Sequence, residues 1–265
     1  MGKIENGFER REIFQTKKVQ NNPDPTFINT KSLITLSVVI PTFNEELSIR
    51  KTLDAVSRLV NVDEVIVVDG GSADKTVEIV ESYKNIKKLK LVKIAEANRG
   101  RQLDEGTKHA SGEIFWFLHA DTRPVQGSGR QIKQFMRYKE VIGGNFEITF
   151  SGETRWARFL TRLYPHLRSI GSVYGDTAIF VRREIYERIG GFRFLPVFED
   201  LDLYKRLQKQ RGRFVHINLP VTTSLHRFES RSFLRTFSRW SFFQTLYWIG
   251  LPPRHLAKIY RPIKK

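Results

Sequence analysis

Apolar residues along the chain gather into short continuous runs, with helical spacings between them. Leu36-Ser37-Val38-Val39-Ile40, Val65-Ile66-Val67-Val68 and Ile114-Phe115-Trp116-Phe117-Leu118 are rich in β-branched and aromatic residues, and Leu89 to Ile94 reads as a further strand. Continuous runs of this length, rather than alternating ones, belong to strands covered on both faces. Between them Ile49, Leu53, Val56 and Val60, and then Thr76, Val77, Val80 and Tyr83, recur at helical spacing. A further helix is predicted over 103–110. Strands alternating with helices predict an α/β domain with a mostly parallel central sheet and helices on both faces. Asn44 is placed to cap the first helix, with Glu45 and Glu46 in its first turn, where the helix dipole favours acids.

After residue 120 the rhythm loosens. Phe146-Glu147-Ile148-Thr149-Phe150 alternates like a half-exposed strand, Ala178 to Val181 reads as a short strand, and 201–210 reads as a helix closed by Gly212. Residues 231–265 carry eight Lys or Arg, no Asp or Glu, and many aromatics. Arg231, Arg235 and Arg239 share one helical face, and Phe233, Phe237 and Trp240 another. Such an amphipathic helix can lie in a membrane interface or pack on the domain. Residues 1–33 read as a flexible lead-in, with Asn21-Asn22-Pro23-Asp24-Pro25 as its clearest loop. The expected organisation is a 1–33 extension, a 34–230 domain and a basic aromatic 231–265 segment.

Composition narrows the chemistry. The 265 residues include no cysteine, so thiolate metal sites and cysteine nucleophiles are excluded. The formal net charge of +17 fits anionic partners: nucleic acid, anionic lipid or phosphorylated small molecules. No apolar stretch reaches the roughly 18 residues that span a bilayer. The polar 1–32 stretch has no secretory core. A cytoplasmic protein is expected, with peripheral contact to the inner face of the plasma membrane as an option.

Two carboxylates stand at strand ends, where open α/β sheets bind ligands. Asp69 ends the 65–68 run and precedes Gly70-Gly71-Ser72, and Asp121 follows 115–118 beside His119. Either alone fits ordinary turn capping. Together they point to a ligand site. An acceptor such as Asp69 suits base N–H groups and ribose hydroxyls. Asp121 suits a divalent metal bridging two phosphates, since Mg2+ or Mn2+ is held by one or two carboxylates plus substrate oxygens. Glu199 and Asp200 open a predicted helix whose dipole keeps a carboxylate ionised, as a general base must be.

These segments resemble the family-2 glycosyltransferases of the GT-A fold. The likeness is carried by Val38 to Glu46, Val67 to Thr76, Phe117 to Thr122 and Glu199-Asp200, over about residues 36–230. His119-Ala120-Asp121-Thr122, Gly175-Asp176 and Gly190-Gly191-Phe192 are similar to the bacterial arsenosugar-biosynthesis-type subgroup. The resemblance implies transfer of a sugar from a nucleotide-diphosphate sugar to an acceptor hydroxyl, with inversion by a single displacement. It implies a nucleotide pocket lined by Pro41, Asn44, Glu45 and Asp69, with Arg99, Gly100 and Gln102 approaching the sugar nucleotide. It makes Asp121 the metal and diphosphate ligand, and Asp200 the base with Glu199 beside it. The chain departs from the family at Gly70, where many members carry a second Asp. It also departs at Asp104, in place of Asn, and at His119, in place of the first Asp of the metal motif. His119 and His226 are candidate substitute ligands, and an imidazole suits Mn2+ better than Mg2+. The acceptor is a small molecule or a lipid-linked one.

Two rivals remain. A nucleic-acid-binding protein fits the charge, but no helix-turn-helix, zinc spacing or RNA-recognition signature is present. A nucleotidyltransferase on a related fold would carry a glycine-rich basic segment after the first strand, where this chain has Pro41-Thr42-Phe43-Asn44.

Overall fold

The computed structural model describes residues 34–152, 154–169, 175–224, 233–251, 253, 255 and 256. The expected 1–33 extension, Arg231 and His226 lie outside the described residues. Among the described residues eight strands form one sheet in the order β3-β2-β1-β4-β7-β6-β8-β5. The strands are β1 (Leu36–Thr42), β2 (Glu64–Asp69), β3 (Leu89–Lys93), β4 (Ile114–Phe117), β5 (Thr122–Pro124), β6 (Val141–Phe150), β7 (Phe180–Arg182) and β8 (Arg213–Thr223). The helices are α1 (Ile49–Ser57), α2 (Thr76–Ser82), α3 (Arg99–Lys108), α4 (Ser128–Met136), α5 (Arg155–Ser169), α6 (Arg183–Arg188), α7 (Glu199–Leu207) and α8 (Phe233–Trp248).

The first four strands are parallel, as the alternation of strands with helices predicts. Every residue of β1 and β4 is buried. The period-2 alternation of a strand sends Val38, Ile40 and Trp116 to one face, against Ile49, Leu53 and Ile132. Val39, Phe115 and Phe117 face the other way, against Leu103, Tyr186 and Leu203. Trp116 satisfies its indole N–H at the carbonyl of Ala178, 3.1 Å away. Each such fully buried side chain stabilises the fold by about 1.5–3 kcal/mol relative to exposure.

Beyond β4 the sheet becomes mixed. β7 runs antiparallel to both β4 and β6, β8 runs parallel to β6, and β5 pairs antiparallel with β8. The strand order reverses at β1, whose neighbours are β2 and β4. The carboxyl ends of these strands therefore flank a crevice, the usual ligand position in open α/β sheets. α3 lies close against one face of β1 and β2. At Gly106 an added Cβ would collide with Val39 Cγ1 and lie 3.0 Å from Val68 Cγ2.

Asn44 does not cap α1. It takes a left-handed φ of 54° and its side-chain oxygen accepts from Ala73 N–H at 2.9 Å, while Ser48 holds the N-cap position without a side-chain bond. Glu45 N–H donates to Thr76 Oγ1 at 2.7 Å. Both residues thus tie the β1–α1 loop to the β2–α2 loop. α8 docks on the domain. Phe237 packs with the α5 cluster, and Tyr247 stacks near Phe198 at 4.9 Å with Lys205 Nζ 3.9 Å from its ring centre. Among the described residues no helix is long and apolar enough to cross a membrane.

Candidate active site

A cleft of about 1120 Å³ opens outside the carboxyl end of β4. Its polar part is lined by Arg99, His119, Asp121, Asp176, Glu199 and Asp200. These residues come from four separate stretches of chain, and each is held by local structure. The 119–121 loop is pinned from behind, where Thr52 Oγ1 donates to the Ala120 carbonyl at 2.7 Å. Thr223 Oγ1 lies 3.4 Å from Asp121 Oδ1. Asp176 sits in a short 3-10 turn, Gly175–Thr177, with Tyr164 Oη 3.4 Å from its carboxylate.

Arg99 reaches Glu199 and Asp200 because two helix starts meet. Asn98 caps α3 by accepting from Arg101 N–H at 2.9 Å. Gly100 lets α3 approach α7, since an added Cβ would lie 2.7 Å from the Arg193 carbonyl oxygen and 3.4 Å from Glu199 Cβ. Arg99 Nε donates to Glu199 Oε1, and Arg99 Nη2 stands 3.6 Å from Asp200 Oδ2. The two carboxylate side chains are 3% and 7% exposed, and the arginine 32%. Asp200 Oδ1 also accepts from Leu201 N–H at 2.8 Å. The residue before the pair, Phe198, has φ 62°. A left-handed non-glycine residue costs about 1–3 kcal/mol, and such residues cluster at functional sites.

Burial works against a charge on Arg99, but Glu199 and Asp200, and then Asp176, outweigh it and hold the guanidinium protonated far above its ordinary range. Burial pushes the Glu199 carboxyl up. Arg99 opposes that shift and the charge of Asp200 adds to it.

The remaining expected site residues lie on the β1–β2 side. Asp69 is 2% exposed. Its Oδ2 accepts from Gly71 and Ser72 N–H at 2.9 Å each, and its Oδ1 accepts from Ser72 Oγ at 2.5 Å and Thr42 Oγ1 at 3.2 Å. Asp69 thereby shapes the turn with both oxygens and does not line the cleft with Asp121 and Asp200. Gln102 donates to the carbonyls of Thr42 and Val68 at 2.7 and 2.9 Å, clamping β1 to β2. Pro41 is buried in β1 opposite Val68.

Among the described residues no group of three or more His, Asp or Glu is arranged to hold a metal. One carboxylate with one imidazole in the same cleft fits a divalent ion only when substrate phosphates complete its shell. Sequence reasoning passed over Arg235, Arg239 and Trp240 as cleft residues, although all three line it. Their spacing on one helix was the available signal. Asp176 carried a signal too, standing before a short strand.

The sequence and the fold both have counterparts. A model of glycosyl transferase family 2 matches residues 37–193. Probable glycosyltransferase YdaM of Bacillus subtilis is 28% identical over 200 residues, 68% of this chain and 48% of that protein. Glycosyltransferase AglE of Haloferax volcanii is 30% identical over 181 residues, 62% of this chain and 57% of that one. The chain thus spans about half the length of these relatives. Staphylococcus aureus TarS 1-349 in complex with UDP-GlcNAc aligns with TM-score 0.59 at 18% identity, over 72% of this chain and 58% of that one. Mannosyltransferase PcManGT from Pyrobaculum calidifontis, in complex with GDP-Man and Mn2+, aligns with TM-score 0.57 at 20% identity, over 76% and 60%. These likenesses give the fold as GT-A. The family model covers more than half of the chain, which therefore belongs to glycosyl transferase family 2.

Proposed function

We propose that the cleft transfers a sugar, with inversion, from a nucleotide-diphosphate sugar to an acceptor hydroxyl. The observation that carries this reading is the shared cleft of Asp121 and Asp200, which are far apart in the chain. The acceptor oxygen forms a bond to the anomeric carbon as the bond from that carbon to the diphosphate oxygen breaks. The diphosphate leaves with the electron pair, and the hydroxyl proton passes to Asp200. Glu199 and Arg99 hold Asp200 in place. Pro41, Asn44, Glu45 and Asp69 build the nucleotide side, with Arg99 and Gly100 at the edge that meets the sugar and Gln102 bracing that edge from within by clamping β1 to β2. Asp121 and His119 would hold a divalent ion, with His226 a further candidate; when bound, that ion supplies positive charge to the departing diphosphate. The Mn2+ in the GDP-Man complex of the archaeal mannosyltransferase supports this. The three segments beginning at His119, Gly175 and Gly190 support the arsenosugar-biosynthesis-type subgroup.

Asp121→Ala is expected to weaken nucleoside diphosphate binding at least about tenfold in Mn2+, and to leave the affinity in EDTA unchanged. Calorimetric titration of UDP and GDP checks it. Equal wild-type affinity in Mn2+ and EDTA rejects the metal role.

The basic 231–265 segment, with eight Lys or Arg and no Asp or Glu, also supports contact with an anionic membrane from the cytoplasmic side, at roughly 1 kcal/mol per basic residue near the surface. Co-sedimentation with phosphatidylserine vesicles at low salt, lost at high salt, is expected. Absence of binding at low salt rejects it.

A further inference from the structure

The cleft has two chemically different halves, and the proposed donor accounts for only one. Beyond the carboxylates the lining is mostly apolar, built from Phe150, Leu160 and Tyr164 around α5 and from Phe237, Trp240 and Phe243 on α8, with Arg235 and Arg239 set among the rings. A sugar nucleotide is polar along most of its length, and its base belongs on the β1–β2 side. Arg235 and Arg239 can meet phosphate oxygens there, but the rings around them offer few of the partners a sugar's hydroxyls need, which is costly.

The wall begins at the proposed base and runs outward. Phe198, next to Glu199-Asp200 in the chain, lines the cleft and packs on Tyr247 of α8. From the cleft, Phe237 leads to Phe159 at a ring distance of 5.8 Å, and Phe159 is 43% exposed. Phe243 leads to Phe242, also at 5.8 Å, and Phe242 is 56% exposed. Ring contacts therefore link the apolar lining of the cleft to the exposed rings of Phe159 and Phe242. A purely polar acceptor would gain nothing from it. A short apolar group would fill the inner wall and leave the outer rings bare.

The geometry points to an acceptor with a hydrocarbon tail: a hydroxyl-bearing head at Asp200 and an apolar chain laid between α5 and α8. The inference rests on the transferase reading of the same cleft. Trp240, Phe237 and Phe243 become the residues that determine acceptor specificity.

n-Alkyl β-D-glucosides from butyl to octyl, below their micelle concentrations, provide the test. They are titrated into the full chain by calorimetry at saturating UDP or GDP with Mn2+. Each buried methylene should tighten binding by about two- to fourfold, so octyl should exceed butyl by at least about tenfold. Trp240→Ala should flatten that slope. Phe242→Ser, at an exposed position that leaves the interior packed, should weaken octyl binding more than butyl. Circular dichroism identifies any variant that fails to fold. Affinity independent of chain length, with nucleotide binding intact, overturns the acceptor inference and leaves the transferase reading standing. A slope unchanged in both variants also overturns it, because the chain then lies elsewhere. If neither UDP nor GDP binds under any metal condition, the transferase reading falls and this inference falls with it.

Discussion

Asp200→Asn is expected to lower sugar transfer by about a thousandfold while nucleotide affinity stays within about threefold, since a positioned general base contributes roughly 10²–10⁴. The substitution is nearly isosteric. The Asn side-chain oxygen can still accept from Leu201 N–H, as Asp200 Oδ1 does at 2.8 Å. Arg99 keeps its bond to Glu199. What disappears is the capacity to take a proton from the acceptor. The loss should therefore fall on kcat, with KM for the donor little changed. Asp200 lines the cleft but lies away from the Asp69 turn, so the nucleotide side should not sense the change. Product formation with radiolabelled donor, measured beside UDP and GDP titrations, separates the two. Transfer within about tenfold of wild type would remove Asp200 from the role of base.

The half of the fold that was legible in the sequence is the half buried on both faces. β1, β2 and β4 write their burial as unbroken apolar runs, because neither face can be polar. β5 is three residues long, too short for any period to register. β7, also three, was readable as a short apolar strand, but its antiparallel pairing with β4 and β6 was not. β6 and β8 pair across a long stretch of chain, from Val141 with Arg213 to Phe150 with Thr223, and no local pattern encodes that partnership. The site divides the same way. Glu199 and Asp200 were readable because acids gather in the first turn of a helix, and α7 does begin at Glu199. Asn44 and Asp69 were readable as special residues. Their bonds run to the neighbouring loop and to their own turn, so the kind of role they play was set by tertiary contacts. Arg235 and Arg239 were readable as one face of a helix. Which way that face turned depended on α8 docking against α5 and Phe198, which only packing decides.

Arg99→Met is the substitution expected to damage both stability and activity. Removing one partner of a buried ion pair typically costs about 3–5 kcal/mol, because the other charge stays buried alone. Arg99 is about a third exposed, so a loss of roughly 2–4 kcal/mol near neutral pH is the scaled expectation. The pH dependence gives the cause. In the wild type, burial raises the Glu199 pKa, Arg99 holds it down, and Asp200 adds to the rise. Without the guanidinium the raising influences are opposed only by a backbone hydrogen bond, so the folded-state pKa of Glu199 climbs further above its unfolded value. Between those two values the folded protein binds more protons than the unfolded one, and stability must fall as pH rises through that interval. The deficit relative to wild type should therefore be smallest at acid pH, near the ordinary carboxylate range, and grow as pH rises above it. Thermal melts across that range read it directly. Adding Glu199→Gln to the Arg99→Met variant should recover part of the loss and remove its pH dependence. Arg99→Lys keeps the charge but loses the planar fork that spans both carboxylates, so it should hold most of the stability and less of the activity. A deficit that stays constant across the whole range would mean that Arg99 acts through packing, and its assignment as the electrostatic clamp on the proposed base would fail.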